Sequence, residues 1–285
     1  MKKINYIVLG NTGFIGKNLE NYLLRKKKNV KGFASKKINL LIKAKALKLS
    51  KFINSKTIIF FLSFNKNQKN ATAEDLQKNL LLTKNFLEVL NKNKPKSVLF
   101  FSSQSIYGEN TNNTNTTEKT LPDPTSFYGI AKYTAERMMT KYCLEKKIPL
   151  IIVRIPRVYG LGDDVNNYGP MKFTDFFKKK KTLTLWGDGS EKRDYLYIGD
   201  LNEILLKLIK KNFTGLVNIC SGTAHSFLQI IKHIESLTKQ RYKLKKKKRS
   251  RPKVDHIMNN KFLKQIIGDY KFTSLKSGLS LLIKN

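Results

Sequence analysis

Three glycines near the N-terminus, Gly10, Gly13 and Gly16, place the strongest constraint on how this chain folds. They follow an apolar run at residues 4–9 and open a segment whose apolar side chains recur at helical spacing. A strand, a glycine turn and a helix in this order commonly cradle the pyrophosphate of a dinucleotide, because the glycines let backbone N–H groups approach the phosphates. The motif predicts a dinucleotide site, although three glycines after a strand also occur in plain turns.

The rest of the first half alternates short apolar runs with helical patterns. Strands are expected at residues 30–34, 57–63, 98–101 and 150–153, and helices at 74–93 and 128–142. Continuous apolar runs are typical of parallel strands buried on both faces. Their alternation with helices predicts an α/β fold, a Rossmann-like doubly wound parallel sheet with right-handed crossovers. Residues 109–120, rich in Asn and Thr, are predicted to form a flexible loop.

Beyond residue 160 this rhythm loosens. Asp200 with Glu203, and Ser226 with Gln229, have the spacing of capping boxes that open helices. Residues 241–253 contain nine Lys or Arg and no acid, and we expect a loop or edge strand there. We therefore predict a dinucleotide-binding domain over residues 1–160. A smaller substrate-binding lobe over residues 161–285 is interleaved with the last elements of the sheet.

The chain carries 56 Lys and Arg against 20 Asp and Glu, a net charge of +36. Such a charge can indicate binding to nucleic acid or to an anionic surface. The lysines are spread over nearly every predicted helix, however, and the interleaved aromatic and basic residues of RNA-binding segments are missing. A general compositional bias explains the charge better, so we do not expect a nucleic-acid partner. The positive field still favours an anionic substrate.

The lengths of the apolar runs and the spacing of the cysteines bear on where the protein resides and on whether it binds a metal. No apolar run reaches the roughly 18 to 20 residues of a membrane span, so a membrane partner is not expected. Two distant cysteines, Cys143 and Cys220, and three histidines without a motif indicate neither a disulfide framework nor a metal site. We expect a cytoplasmic protein without a bound metal.

The residues after the second predicted strand address the choice of cofactor. In NAD-binding units an acidic residue near this point binds the ribose hydroxyls. Here the sequence has Ser35, Lys36 and Lys37, with no carboxylate in reach. Because cations suit a 2′-phosphate, this pattern favours NADP over NAD. The alternative interpretation is two more surface lysines in a lysine-rich chain.

Tyr128 and Lys132 lie four residues apart, which places a phenol and an ammonium on one face of a predicted helix. A phenol with a pKa of about 10 is a poor base at neutral pH. A neighbouring lysine and a cationic nicotinamide favour the phenolate, which can exchange a proton with an alcohol oxygen. By itself this spacing is common and usually marks a surface pair. The glycine turn, and Ser103 at the end of an intervening strand, make a shared site the better interpretation, since ligands bind at the carboxyl ends of strands in open sheets.

With these residues in place, the sequence resembles the extended short-chain dehydrogenase/reductases, the NAD-dependent epimerase/dehydratase family, along essentially its whole length. The segments that carry the resemblance are the glycine turn with Phe14 and Ile15, the helical segment from Asn79 to Leu90, residues 100–108 around Ser103, Tyr128 with Lys132, residues 153–160, 186–195 and 218–222, and Arg251 with Pro252.

The resemblance implies hydride transfer at a nucleotide-activated sugar with NAD or NADP as cofactor. In this family Tyr128 would be the acid/base on the sugar oxygen, Ser103 would hydrogen-bond that oxygen, and Lys132 would hold the ribose. Arg193 and Arg251 would clamp the diphosphate, for which the planar guanidinium is well shaped. The resemblance assigns cofactor contacts to Gly10, Gly13, Phe14, Ile15, Gly16, Ser35, Lys36, Tyr128 and Lys132, and substrate contacts to Ser103, Arg157, Arg193 and Arg251. It also suggests a homodimer through the helices near residues 74–93 and 128–142.

Two departures from the family pattern narrow the expected activity. Gln104 and Ser105 stand where dehydratases carry Asp and Glu, so water elimination lacks its acid and base. Arg157 stands where many epimerases have Asn, which changes the expected sugar-phosphate contacts. We therefore expect a nucleotide-sugar 4-ketoreductase or a 4-epimerase. The alternatives are a non-catalytic RNA-binding protein on the same fold and a reductase of another small carbonyl compound.

Overall fold

The computed structural model describes residues 4–64, 71–165, 168–249 and 252–284. Their strands are β1 (Asn5–Leu9), β2 (Asn29–Phe33), β3 (Thr57–Phe61), β4 (Ser97–Ser103), β5 (Asn113–Thr116), β6 (Leu150–Ile155), β7 (Arg157–Tyr159), β8 (Leu183–Trp186), β9 (Lys192–Tyr197), β10 (Gly215–Asn218), β11 (Ala224–Ser226), β12 (Leu244–Lys247) and β13 (His256–Met258). Their α-helices are α1 (Phe14–Arg25), α2 (Lys43–Leu47), α3 (Ala73–Lys92), α4 (Phe127–Glu145), α5 (Pro170–Lys178), α6 (Ile198–Lys210), α7 (Phe227–Thr238), α8 (Lys261–Ile267) and α9 (Leu275–Lys284). Short 3-10 turns span Lys48–Phe52 and Gln104–Tyr107.

The chain forms two compact units, and each unit is built from several segments. The first unit comprises residues 1–109, 120–155 and 212–217. The second comprises residues 110–119, 156–211 and 218–285.

A six-stranded sheet in the order β10-β6-β4-β3-β1-β2 organises the first unit. The pairings of β1 with β2 and β3, of β3 with β4, and of β4 with β6 are all parallel. The predicted Rossmann-like α/β sheet is confirmed. From β1 the chain goes first to β2 on one side and then to β3 on the other, so the topological switch point lies between β1 and β3. Ligands of open α/β sheets bind at such a point.

The four central strands of this sheet, β6, β4, β3 and β1, are mostly buried because their side chains are largely apolar on both faces, as the continuous runs predicted. The edge strand β2 is largely exposed. All five residues of β3 are buried, and Phe61 stacks on Phe86 of α3 with ring centroids 4.3 Å apart. Helices α3 and α4 pack against each other over this face of the sheet. The buried face of α4 includes Ala131, Ala135, Met139 and Cys143. Met138 and Tyr142 lie at the edge of the core.

Side-chain caps fix where three helices begin. Thr72 and Asp75 form a reciprocal capping box at the start of α3, and the Ser126 hydroxyl accepts a hydrogen bond from the Gly129 amide at the start of α4. The capping box predicted at Ser226 and Gln229 opens α7 and is confirmed. These caps satisfy backbone N–H groups that a helix start otherwise leaves without partners.

The capping box predicted at Asp200 is wrong. Helix α6 already begins at Ile198, so Asp200 lies inside its first turn. The Asp200 carboxylate instead accepts hydrogen bonds from the Thr273 amide and hydroxyl, both at 2.9 Å, and from the Tyr270 hydroxyl. The acidic residue therefore joins α6 to a segment 73 residues away in the chain.

The second unit contains the strand order β11-β9-β13-β5, with β7 also paired to β9, and the separate pair β12-β8. The prediction of a flexible loop over residues 109–120 is wrong in part, since β5 pairs in parallel with β13. The run at 241–253 contains the edge strand β12, as one of the two expected forms. Helices α5, α7 and α9 surround an apolar core that includes Phe173, Ile230 and Leu279.

Among the described residues, no helix has the length and apolar character needed to cross a membrane.

Candidate active site

The glycine turn lies between β1 and α1, at the switch point of the sheet. Gly10 adopts a φ of +90°, which side-chain-bearing residues rarely adopt, and a Cβ added there would lie 3.1 Å from the Ser63 amide nitrogen. A Cβ added at Gly16 would overlap the Gly10 carbonyl oxygen and lie 2.9 Å from its carbonyl carbon. Two of the three glycines are thus required by the close approach of backbone to backbone.

The first turn of α1 is available to an anion. Its N-cap residue, Gly13, has no side chain to cap the helix, and no acidic residue lies in the first turn. The amides that begin the helix belong to Phe14, Ile15 and Gly16, which are the residues expected to contact the pyrophosphate. Unpaired amides and the positive end of the helix dipole suit a phosphate group. The residues at this turn therefore fit a dinucleotide.

A carboxylate lies closer to β2 than the sequence suggested. The Asn11 amide donates a hydrogen bond of 2.8 Å to Glu20, and both side chains occupy the space where Gly32 of β2 lacks one. Beyond the end of β2, Ser35 and Lys36 are exposed. The sequence predicts no carboxylate within reach of residues 35–37, and Glu20 lies instead beside Gly32, inside β2. Its carboxylate comes from α1 rather than from the strand itself.

Ser103 is the last residue of β4, and its hydroxyl is held by the turn that follows. The Ser103 Oγ accepts a hydrogen bond from the Ser105 amide at 3.1 Å and donates one to the Ser105 Oγ at 3.2 Å. Both bonds are local, so they follow from a serine placed at the N-cap of the 3-10 turn. The hydroxyl proton can rotate from Ser105 towards another acceptor.

Tyr128 and Lys132 lie one turn apart on the buried side of α4, with 9% and 4% of their surfaces exposed. The Lys132 ammonium donates a 2.6 Å hydrogen bond to the Phe101 carbonyl oxygen of β4. It also lies 3.8 Å from the centre of the Phe64 ring and 5.8 Å from that of Tyr128. Burial of the ammonium lowers the pKa of Lys132 to about 7, and the charge of Glu136 opposes this shift.

The start of α4 is fastened to the turn that carries Ser103. The Glu109 carboxylate accepts hydrogen bonds from the Thr125 amide and hydroxyl and from the Ser126 hydroxyl. A Cβ added at Gly129 would lie 2.9 Å from the Ser105 carbonyl oxygen, so the helix packs very closely on this turn. Ser103 and Tyr128 are therefore carried by two segments in direct contact.

A buried ion pair lies behind these residues. Arg154 of β6 donates hydrogen bonds of 3.0 and 2.7 Å to the two carboxylate oxygens of Glu136, and a third of 2.9 Å to the Tyr107 hydroxyl. Arg154 and Glu136 are only 4% and 3% exposed. Burial acts to lower the pKa of Arg154, but the bonds to Glu136 outweigh it and the pKa is raised overall. The cluster joins α4, β6 and the turn after Ser103.

The second unit contains Arg157 and Arg193, and their strands are paired. Arg157 of β7 lies opposite Tyr195 of β9, two residues beyond Arg193. Arg193 donates hydrogen bonds to Glu191 and to the Val254 carbonyl oxygen, while the exposed Arg157 donates one to the Tyr168 carbonyl oxygen. Burial is the main cause that lowers the pKa of Arg193, and the charge of Arg157 contributes. The charge of Arg157 thus acts on Arg193 across the paired strands, and Arg251 lies outside the described residues.

Sequence reasoning missed four of the residues that shape this site: Phe64, Glu109, Glu136 and Arg154. Phe64 and Glu109 carry no pattern that would have revealed them. Arg154 did have a signal, because it is a lone charge inside an otherwise apolar strand, residues 150–155. Such a charge needs a buried partner, and Glu136 has the helical spacing from Lys132 to provide one.

Comparison with known proteins places this geometry in a family. The curated GDP-6-deoxy-D-talose 4-dehydrogenase of Aggregatibacter actinomycetemcomitans is 28% identical over 98% of this chain and 97% of its own length. The UDP-glucose 4-epimerase of Thermotoga maritima, solved with UDP-glucose, superposes with a TM-score of 0.86 at 23% identity, over 99% of this chain and 98% of that one. A UDP-glucuronic acid 4-epimerase mutant from Bacillus cereus, solved with NAD and a fluorinated sugar nucleotide, gives 0.84 at 23% identity, over 99% and 98% of the two chains.

The sequence profile of one family covers most of the chain, from residue 6 to residue 220. The matched region includes the glycine turn, Ser103, Tyr128, Lys132 and Arg193. The homologues are NAD-dependent nucleotide-sugar epimerases and dehydratases, enzymes of the oxidoreductase and isomerase type. By its profile, its relatives and its parallel sheet, the chain belongs to the NAD dependent epimerase/dehydratase family.

Proposed function

We propose that this chain is an NAD(P)-dependent nucleotide-sugar 4-ketoreductase or 4-epimerase, which transfers a hydride at C4 of a nucleotide-activated hexose. The observation that carries the proposal is the buried Tyr128–Lys132 pair of α4, packed on the turn that holds Ser103. All three of the related proteins described above are named for a reaction at position 4 of a nucleotide sugar. Gln104 and Ser105, where a dehydratase would need carboxylates, support reduction or epimerisation over dehydration.

The chemistry divides between the cofactor and the chain. A bound nicotinamide supplies or accepts the hydride. Tyr128 exchanges the proton of the sugar 4-oxygen, while the Ser103 hydroxyl turns away from Ser105 to donate a hydrogen bond to that oxygen. Lys132 contributes a positive charge that favours the phenolate form of Tyr128. Because Lys132 is out of water, its charge acts on Tyr128 through a medium of low dielectric.

We assign the diphosphate of the substrate to the second unit, which we regard as the substrate lobe. Arg193 and Arg157 provide two guanidiniums on paired strands, a suitable arrangement for an anion with several oxygens. Arg251, also assigned to the diphosphate, remains a proposal from sequence alone. The high positive charge of the chain adds a general attraction for such a substrate.

Two features of the structure act in opposite directions on the choice between NAD and NADP. Ser35 and Lys36 beyond β2 favour the 2′-phosphate of NADP, whereas the Glu20 carboxylate beside Gly32 opposes a second negative charge. Several related solved structures are complexes with NAD. We therefore propose NAD or NADP, and a Glu20→Gln variant is expected to bind NADP more tightly with little change for NAD. Equal affinity changes for both cofactors would remove Glu20 from this role.

A binding and turnover panel tests the proposed function. Thermal shifts are measured with NAD, NADP and UDP-, GDP-, dTDP- and CDP-sugars, and oxidation of the reduced cofactor is then followed at 340 nm with the matching 4-keto sugar. Tyr128→Phe should abolish turnover and retain cofactor binding, while Tyr133→Phe on the same helix should change neither. Intact turnover in Tyr128→Phe would refute the mechanism. Binding of RNA with steep salt dependence, and of no nucleotide sugar, would favour the RNA-binding alternative.

A homodimer through α3 and α4 is a further part of the proposal. These helices pack together and leave the large apolar side chains of Leu81, Phe127 and Ile130 exposed. Light scattering should give a dimer for the wild type and a monomer for Leu81→Lys with Ile130→Lys. Leu144→Lys, an exposed residue near the end of α4, is the matched control. A wild-type monomer would refute this part.

We also propose that the protein resides in the cytoplasm, since Cys143 and Cys220 are free thiols.

A further inference from the structure

Three charged or titratable side chains share the buried side of α4: Tyr128, Lys132 and Glu136, each separated from the next by four residues. Side chains with this spacing are neighbours on a helix, and a Lys with a Glu four positions away commonly forms an ion pair. In the part of the chain that the structure describes, Lys132 and Glu136 do not do so. The Glu136 carboxylate instead accepts hydrogen bonds from Arg154, and the Lys132 ammonium donates one to the Phe101 carbonyl oxygen.

The geometry of Arg154 explains this division. Its Nε and Nη2 atoms donate to the two oxygens of Glu136, so the guanidinium fork occupies the carboxylate from one side. Its remaining Nη1 donates to the Tyr107 hydroxyl, which fixes the direction of the fork. Arg154 is held in turn by its place in β6, where its backbone pairs beside Ser102 of β4.

We propose that Arg154 is a positioning residue of the active site, which withholds the Glu136 carboxylate from Lys132 and so keeps the lysine ammonium on the Phe101 carbonyl beside Tyr128. This inference rests on the proposed function for its effect on catalysis, but not for its effect on Lys132. A buried Arg–Glu pair is often regarded as a contribution to stability alone. Here it would also determine which group accepts the hydrogen bond of Lys132.

The charged and titratable groups around Lys132 are few. Helix α4 contributes Tyr128 and Glu136, β6 contributes Arg154, and the turn after β4 contributes Tyr107. The other described groups against the ammonium, the Phe101 carbonyl and the rings of Phe64 and Phe100, do not titrate. Glu136 acts to raise the pKa of Lys132 against the larger effect of burial. Loss of Arg154 would strengthen that effect, because it removes a positive charge and releases the carboxylate.

The test follows Lys132 directly, in the full chain labelled with [ε-13C]lysine. The Lys132 signal is identified by its loss in Lys132→Arg, and its pKa of about 7 lies well below the value of about 10.4 for lysine in a model peptide. In Arg154→Met the titration midpoint should rise by about one unit or more. In Arg154→Met with Glu136→Met it should return to the wild-type value or below. Arg137→Met, an exposed arginine on the same helix, should leave it unchanged.

Kinetics supply the second readout. Arg154→Met should lower kcat by about tenfold or more and move the pH profile to higher pH, with KM for the sugar nucleotide within about twofold of wild type. The double variant should recover most of kcat. If the Arg154–Glu136 pair only stabilised the fold, removing Glu136 as well would not restore kcat. If Arg154→Met does not fold, Arg154→Lys, which keeps the charge but loses the fork, should show a smaller rise in the midpoint.

Failure of this inference and failure of the proposed function are distinguishable. An unchanged Lys132 midpoint in Arg154→Met, or in Arg154→Lys where only that variant folds, would overturn the role of Arg154 even in an active enzyme. A double variant as slow as the single one would also overturn it. If the midpoint moves as expected but the wild type turns over no nucleotide sugar, the inference about Lys132 stands and the proposed function falls.

Discussion

Replacing Lys132 by methionine is expected to stabilise the chain, most strongly at low pH. The folded chain holds this lysine at a pKa of about 7, whereas the unfolded chain holds it near 10.5. Because the folded pKa is lowered, the unfolded state binds more protons between these values, and the stability contributed by Lys132 rises as the pH rises. Keeping a charged ammonium buried at pH 6 therefore costs about 5 kcal/mol, at 1.36 kcal/mol for each pKa unit.

The stabilisation by Lys132→Met depends on pH, whereas the cost of losing the hydrogen bond to Phe101 does not. At pH 9 the same linkage leaves a cost of about 2 kcal/mol, because much of the unfolded chain's preference for the proton has gone. Loss of the hydrogen bond to Phe101 costs roughly 1 kcal/mol at either pH. The stabilisation by Lys132→Met should thus be about 3 kcal/mol larger at pH 6 than at pH 9.

Urea unfolding followed by circular dichroism at the two pH values measures this difference. Lys141→Met is the matched control, since Lys141 lies on the same helix with an exposed side chain paired to Glu145. Its effect should change by less than about 0.5 kcal/mol between the two pH values. If Lys132→Met gives the same change in unfolding free energy at pH 6 and at pH 9, the ammonium is not desolvated as described. A hydrated ammonium would not favour the phenolate form of Tyr128 in the proposed way.

Three further substitutions test separate parts of the structure. Ser103→Ala should lower kcat about 100-fold, with cofactor affinity unchanged in fluorescence titration, because it removes the donor to the sugar oxygen; an unchanged kcat would exclude that role. Gly16→Ala should weaken cofactor binding and cost about 1–3 kcal/mol in urea unfolding, since its Cβ would overlap the Gly10 carbonyl; wild-type affinity would show that the turn can widen. Ser226→Ala should cost about 1 kcal/mol of unfolding free energy by removing the cap of α7, and a change below about 0.3 kcal/mol would mean that Gln229 holds the cap alone.

Those features of the fold that depend on neighbouring residues could be predicted from the sequence. The glycine turn, the apolar strands and the Ser226 capping box each involve residues within a few positions of one another, so the local pattern carries the information. Asp200 shows where such a pattern misleads. Its spacing to Glu203 matches a capping box, but its carboxylate bonds to Thr273, and nothing local indicates that partner.

Features set by long-range pairing could not be predicted in the same way. Strand β5 exists because it pairs with β13, about 140 residues later, and its Asn- and Thr-rich sequence alone resembles a loop. The cluster of Arg154, Glu136 and Tyr107 likewise brings together three segments of the chain. The roles of Ser103, Tyr128 and Lys132 in catalysis are still predictions, because geometry supplies their surroundings but not a reaction.

The most direct test of the proposed function is the fate of the hydride. The enzyme is given a 4-keto nucleotide sugar and a cofactor deuterated at the transferable position of its reduced nicotinamide, and the product is examined by NMR. Hydride transfer at C4 predicts deuterium bonded to C4 of the sugar in the wild-type product, and no product from Tyr128→Phe. Deuterium at another carbon, or a product that contains none, would contradict the proposed function.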